Sequence, residues 1–196
     1  MDVRLRRYAN MVQEYYVVRV REAGERRLEA LAGLRTRADV LRLQQETRAR
    51  IRQSFGPFPP RTPLKARTTG QVVRSRYVIE NILFESRPGF LVSANLYLPK
   101  HARKAAPSVL GLCGHGENGK AYKTYQAFSQ GLALNGFVVL ILDPISQGER
   151  VQYPNKKARC RLGLCEEHNM IGNQQSLLGE FFGTWRAWDA SRASGP

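Results

Sequence analysis

Cysteine is scarce in this chain, three in 196 residues, and an odd number that small excludes a disulfide framework and fits reduced thiols. No run of about 20 apolar residues occurs, so no segment reads as a membrane span. Near the N-terminus Glu14 and Arg19 interrupt the apolar residues before Val20 and no small-residue cleavage site follows. No signal peptide is read there, and a cytoplasmic location is expected. Acidic residues are also short: 16 Asp and Glu stand against 31 Lys and Arg, a net charge of +15. The excess lies mostly in residues 1–76. Such a stretch attracts phosphates, and it is equally what a solvated helix face looks like. Zinc-finger spacing, arginine–aromatic interleaving and RNP-like strands are missing, so nucleic acid is not the expected partner.

The cysteines carry little chemistry. Cys160, Cys165 and His168 have irregular spacing and no fourth ligand type beside them, so no metal is expected. Cys113 ends an apolar run and reads as a small buried hydrophobe.

The chain divides into a basic helical N-terminal arm with a Pro-rich connector, residues 1–76, and an α/β body, residues 77–196. Within the arm, Thr36 and Asp39 form a loose capping box. Val40, Leu43, Thr47 and Ile51 then recur at helical spacing, which predicts an amphipathic scaffold helix over residues 36–55. Gly56 and Pro57, Pro59, Pro60 and Pro63 end it.

Two strand-like runs follow, residues 77–85 and 90–98. The turn residues Ser86, Arg87, Pro88 and Gly89, and the alternation of Phe90, Val92, Ala94, Leu96 and Leu98, predict an antiparallel hairpin. A strand over residues 108–113, a helix over 121–134 and an apolar strand over 137–142 then read as a parallel β-α-β unit.

Between that first parallel strand and its helix stands the run SVLGLCGHGENGK, residues 108–120. Gly114, Gly116 and Gly119 loosen the main chain there, where backbone N–H groups are suited to hold a developing negative charge. Nowhere in the chain is there a G-x-S-x-G elbow to present a nucleophilic serine. Ser146 lies in a loop whose residues lack that spacing and is not read as a nucleophile.

Residues 77–189 resemble the acetyl xylan esterase and cephalosporin-C deacetylase branch of the α/β-hydrolases, with dienelactone-hydrolase-like relatives. The carriers are GHGENGK at 114–120, Tyr125 and Gln126, DPISQGER at 143–150, Glu167 and His168, and Trp188 and Asp189. The resemblance implies an α/β fold: the front part of an α/β-hydrolase, a hairpin leading into a parallel sheet in the order 1-2-4-3-5. It also implies a serine hydrolase working through an acyl-enzyme, with no cofactor, on small-molecule or carbohydrate esters.

By that resemblance the backbone amides of Gly116 and Glu117 are the oxyanion-hole candidates. His115 precedes any nucleophile and is expected to shape the loop together with Gly114 and Gly119. Asp143, Gln147, Gly148, Glu149 and Arg150 are expected to hold the following loop, with Asp143 capping a turn and Glu149 and Arg150 tying it by ion pairs or hydrogen bonds. His168 is given a positioning or oligomer role.

No catalytic triad is present, so the chain is expected to be a truncated, inactive esterase. The strand at 108–113 is expected to be an open apolar edge, inviting homo-oligomers or aggregates. The other reading is a non-catalytic basic module that binds an anionic polymer through its Arg-rich arm.

Overall fold

The computed structural model describes residues 9–101 and 105–195. Arg4, Arg6 and Arg7 of the basic N-terminal stretch and the terminal Pro196 lie outside the described residues. The chain forms two compact units, Met1–Ile51 and Arg52–Pro196.

The first unit carries helix α1, Met11–Ala32, and most of helix α2, Arg37–Phe55; neither helix buries a residue. The capping box is formed: the Thr36 N–H donates to Asp39 Oδ2 at 2.9 Å and the Asp39 N–H to Thr36 Oγ1 at 3.2 Å. The Thr36 hydroxyl, the Thr36 N–H and the Arg35 N–H, all donating to the Asp39 carboxylate, hold it below its usual range, with Arg42 nearby.

The second unit is built on a five-stranded sheet in the order β1-β2-β3-β5-β4. The strands are β1 Arg67–Val73, β2 Tyr77–Arg87, β3 Phe90–Pro99, β4 Ser108–Leu112 and β5 Val138–Leu142. Strands β2 and β3 are the expected hairpin, and Gly89 takes the positive φ of 74° that closes it. Glu85 braces the turn, accepting from the Gly89 N–H at 3.1 Å and pairing with Lys65 at 3.2 Å. Strands β4 and β5 run parallel, with Leu110 opposite Leu140, and helix α3, Lys123–Leu134, crosses between them.

One strand was not foreseen. The stretch read as connector contains β1, which pairs antiparallel with β2. Its sequence, RTTGQVV, is polar and almost wholly exposed, so it carries none of the alternation by which a half-buried strand is recognised. The sheet therefore begins ahead of Tyr77.

Each face of the sheet has its own apolar cluster. Tyr77, Ile79, Tyr97, Val139 and Ile141 pack with Cys113 and Ala133 on one side. Phe84, Val92, Ala94 and Leu142 pack on the other, with Leu64 and Ala193 against them. The alternating residues of β5 thus enter opposite clusters, which is why its apolar run is unbroken. Helices α4, Leu164–Leu177, and α5, Phe182–Ala193, complete the unit. Trp188 anchors α5, its ring buried and its indole N–H donating to the Ser86 carbonyl at 2.8 Å. Phe55, at the end of α2 and within this unit, meets Phe181 edge-on at 5.3 Å, and its carbonyl accepts the Thr184 hydroxyl.

Candidate functional site

The loops leaving β4 and β5 emerge side by side at the C-terminal ends of the parallel pair, where open α/β sheets place their ligands. The first loop begins at Gly114, whose N–H donates to the Tyr125 hydroxyl at 2.6 Å and whose carbonyl accepts from Gln147 Nε2 at 2.7 Å. A Cβ at Gly114 would sit 2.8 Å from that hydroxyl. Gly119 has φ +49°, and a Cβ there would lie 2.1 Å from Asp143 Oδ1. Gly116 differs: its φ is not positive and a Cβ would meet nothing within 4 Å. The expectation of special backbone freedom therefore holds at 119, while 114 is fixed by a close approach and 116 by neither. The N–H groups of Gly116 and Glu117 donate to no protein acceptor among the described residues.

Asp143 is the centre of the second loop and does more than cap a turn. Its fully buried carboxylate accepts from the Ser93 hydroxyl at 2.8 Å, the Lys120 N–H at 2.7 Å and the Glu149 N–H at 3.1 Å, and it pairs with the Lys120 ammonium. Lys120 also reaches Glu149. Gly148 has φ +58°, and a Cβ would fall within 2.6 Å of three Asp143 side-chain atoms. One carboxylate thus ties together the β4 loop, the β5 loop and β3. A charge so buried is tolerable because it is paired and saturated with donors.

Glu149 and Arg150 do anchor the loop, each with a different partner. Arg150 donates to Asp189 Oδ2 at 2.8 Å and to the Asp143 carbonyl at 2.9 Å. Sequence reasoning missed Lys120 and Ser93 as partners of Asp143. A lysine between glycine and alanine, one turn before an amphipathic helix, was the available signal for the first; nothing marked Ser93, which arrives from β3.

His115 and His168 meet across the site, Nε2 of the first 3.2 Å from Nδ1 of the second. His168 Nε2 lies 3.1 Å from the Ile145 carbonyl. A carbonyl only accepts, so His168 carries its proton on Nε2 when neutral, and His115 Nε2–H is then the donor to His168 Nδ1. Burial, aided by Arg186 and His115, holds the His168 pKa below its ordinary value. The pair links the β4 loop to α4.

The cysteines are used locally. Cys160 Sγ donates to Glu167 Oε2 at 2.8 Å, and burial pushes the Cys113 thiol up to about 11, with Asp143 adding to it. Burial alone would raise the Glu167 pKa, yet bonds from Cys160, the Gln152 N–H and the Tyr153 N–H outweigh it and keep the carboxyl low. Ser146 is buried with φ +68°. No histidine nitrogen among the described residues is within hydrogen-bond distance of its hydroxyl. A groove of about 850 Å³ opens beside these loops, bordered by Glu117, Asn118, Lys120, Asn95 and Arg159.

No family model and no curated protein sequence matches the chain. Solved structures do. A Bacteroides fragilis protein assigned as an acetyl xylan esterase superposes with a TM-score of 0.63 at 16% identity, covering 80% of this chain and 42% of its own. A methylesterase gives 0.46 at 22% identity, covering 82% and 32%. An acetyl xylan esterase from Paenibacillus sp. gives 0.38 at 16% identity, covering 60% and 42%. The chain spans well under half the length of each. Over four-fifths of its own length, then, this chain has the α/β fold of the Bacteroides protein, with the hairpin and the parallel β4-α3-β5 unit among its parts.

Proposed function

We propose that this chain is the oxyanion-stabilising front portion of a serine ester hydrolase for small-molecule or carbohydrate esters, and that these 196 residues alone do not turn over substrate. On this reading the body runs from β1 onward and residues ahead of it form a helical arm. The supporting observation is the pair of uncommitted amides at Gly116 and Glu117, on a loop that Asp143, Gln147 and Tyr125 hold fixed. Donors fixed before the reaction stabilise a developing oxyanion without reorganising. The Glu117 side chain is exposed, so its carboxylate need not oppose that charge. The nucleophile would come from a G-x-S-x-G segment, which this sequence does not contain.

Hydrolysis of p-nitrophenyl acetate tests both parts. The 196-residue chain should show background rates and no serine labelled by a fluorophosphonate; site-specific labelling with turnover would refute the inactive reading. Fused to a segment supplying the elbow, acid and histidine, the chain should hydrolyse the ester. Gly116→Pro, which removes one N–H, should then lower kcat by about 10²–10³. An unchanged kcat would remove Gly116 from the oxyanion hole.

A further inference from the structure

Residues 151–165 carry Lys156, Lys157, Arg159 and Arg161 and no acidic residue. Like charges this dense repel one another, and such a stretch keeps one shape only where something else holds it. Here the fully buried Glu167 carboxylate of α4 does so. It accepts from the Gln152 and Tyr153 N–H groups at 2.7 and 3.3 Å as the chain enters the loop, and from Cys160 Sγ at 2.8 Å as it leaves. At the tip Asn155 Oδ1 accepts from the Lys157 N–H at 2.8 Å and the Arg159 N–H at 3.2 Å. All four cations are exposed, and among the described residues none pairs with a carboxylate.

This loop borders the groove of about 850 Å³, to which it contributes Arg159. On the floor Asn81 of β2 stands opposite Asn95 of β3, their amides joined at 3.1 Å. Asp143 and Arg74 also line the groove, and the sheet sets how far apart they are. The Asp143 N–H donates to the Ser93 carbonyl, whereas the Arg74 N–H donates to the carbonyl of Tyr77, which stands opposite Pro99. From Ser93 to Pro99 is about 20 Å along one strand. A polar groove of that length suits an extended chain.

The groups left open in it select the occupant. Arg74 and Arg159 have no carboxylate partner among the described residues, and guanidinium groups take carboxylates in paired hydrogen bonds. Asn81 Nδ2, Gln126 Oε1 and the Asn118 amide bond to no protein group among the described residues; side-chain amides both donate to and accept from hydroxyls. A nucleic acid fits less well. The groove's one aromatic ring among the described residues, Tyr97, is 3% exposed and offers bases no platform, and Glu117 and Glu149 would oppose a strand with a charge on every nucleotide. We propose that this groove binds an acidic polysaccharide, with Arg74 and Arg159 on its carboxylates and the amides of Asn81, Asn118 and Gln126 on its hydroxyls. This ligand is the carbohydrate of the function proposed above, on which its being a sugar polymer rests.

Affinity electrophoresis of the full 196-residue chain, through gels carrying polygalacturonate, neutral glucomannan or single-stranded DNA, reads this out. Polygalacturonate should retard the chain and glucomannan should not. Arg74→Gln and Arg159→Gln should each weaken retention by polygalacturonate about tenfold, the size of a lost charge-assisted bond, and Asn118→Ala about threefold. Arg37→Gln combined with Arg48→Gln on α2, a greater loss of charge away from the groove, should leave it unchanged. These positions are exposed, and near-UV circular dichroism checks that each variant folds. Absence of retention by polygalacturonate would overturn the proposal. So would equal retention by glucomannan, binding lost in the α2 variant but kept in Arg74→Gln, or retention by DNA that the groove variants abolish. Binding needs no nucleophile, so its absence leaves the ester chemistry untouched, and a failure to turn over p-nitrophenyl acetate leaves the binding result standing.

Discussion

At the scale of single residues, the glycines of the site divide into two kinds that composition alone does not separate. Gly119 sits at positive φ with Asp143 Oδ1 2.1 Å from where a Cβ would be. Gly119→Ala should therefore disrupt the Lys120–Asp143 pairing and cost several kcal/mol, in the range of broken buried ion pairs. Gly116→Ala should cost well under 1 kcal/mol, because the space is open; urea midpoints of the two variants check both. Ser146 is the reverse case, a side chain at φ +68°. Ser146→Gly should relieve about 1 kcal/mol of backbone strain and raise the melting temperature; a lower one would show that the buried Ser146 side chain contributes more than the strained backbone costs.

His168 supplies a pH dependence. Burial depresses its pKa in the folded protein below 6.5, so the unfolded chain binds more protons in that window and stability rises with pH there. The contribution is whole above pH 6.5 and is lost as pH falls through the lowered value. Urea midpoints should drop on acidification across that interval, and His168→Gln should flatten the slope; an unaltered slope would assign the effect to other groups. That neither His115 nor His168 follows a nucleophile elbow was legible from the sequence. Their mutual contact was not, since 53 residues separate them.

Elements with a strong pattern were legible. The alternation in β3 and the unbroken run of β5 stand where the sequence puts them, because apolar periodicity is the signal that burial writes into a strand. Polar, exposed β1 had no such signal. Helix α4, LCEEHNMIGNQQSL, likewise lacks a clear apolar stripe; it is held by polar contacts of Glu167 and His168 instead. The order β2-β3-β5-β4 is the expected one with β1 added outside, and it leaves β4 as an edge. Leu112 is 58% exposed there. Such a parallel edge is a template for strand addition, so Leu112→Lys should reduce concentration-dependent aggregation, measured by light scattering on warming. Equal scattering from both proteins would show that the edge does not drive association.

Across the whole molecule, the two units differ in how much apolar surface they bury. The second unit has two apolar clusters, a shared sheet and a fold found in a solved esterase. The first has helices without buried residues. Composition placed the basic excess in residues 1–76, a stretch that runs past the first unit through β1. It did not reveal that α1 itself is neutral, because the excess resides in the sequence on either side and in α2.

The buried Asp143 knot has a further consequence. Its partners, Ser93, Lys120 and Glu149, all lie within these 196 residues, so the loop carrying Gly116 and Glu117 is set without help from any further segment. On the function proposed above, a catalytic segment supplied as a separate polypeptide would dock against a finished receptor. Reassembly of the two pieces should then follow simple second-order kinetics, with no slow remodelling phase after encounter.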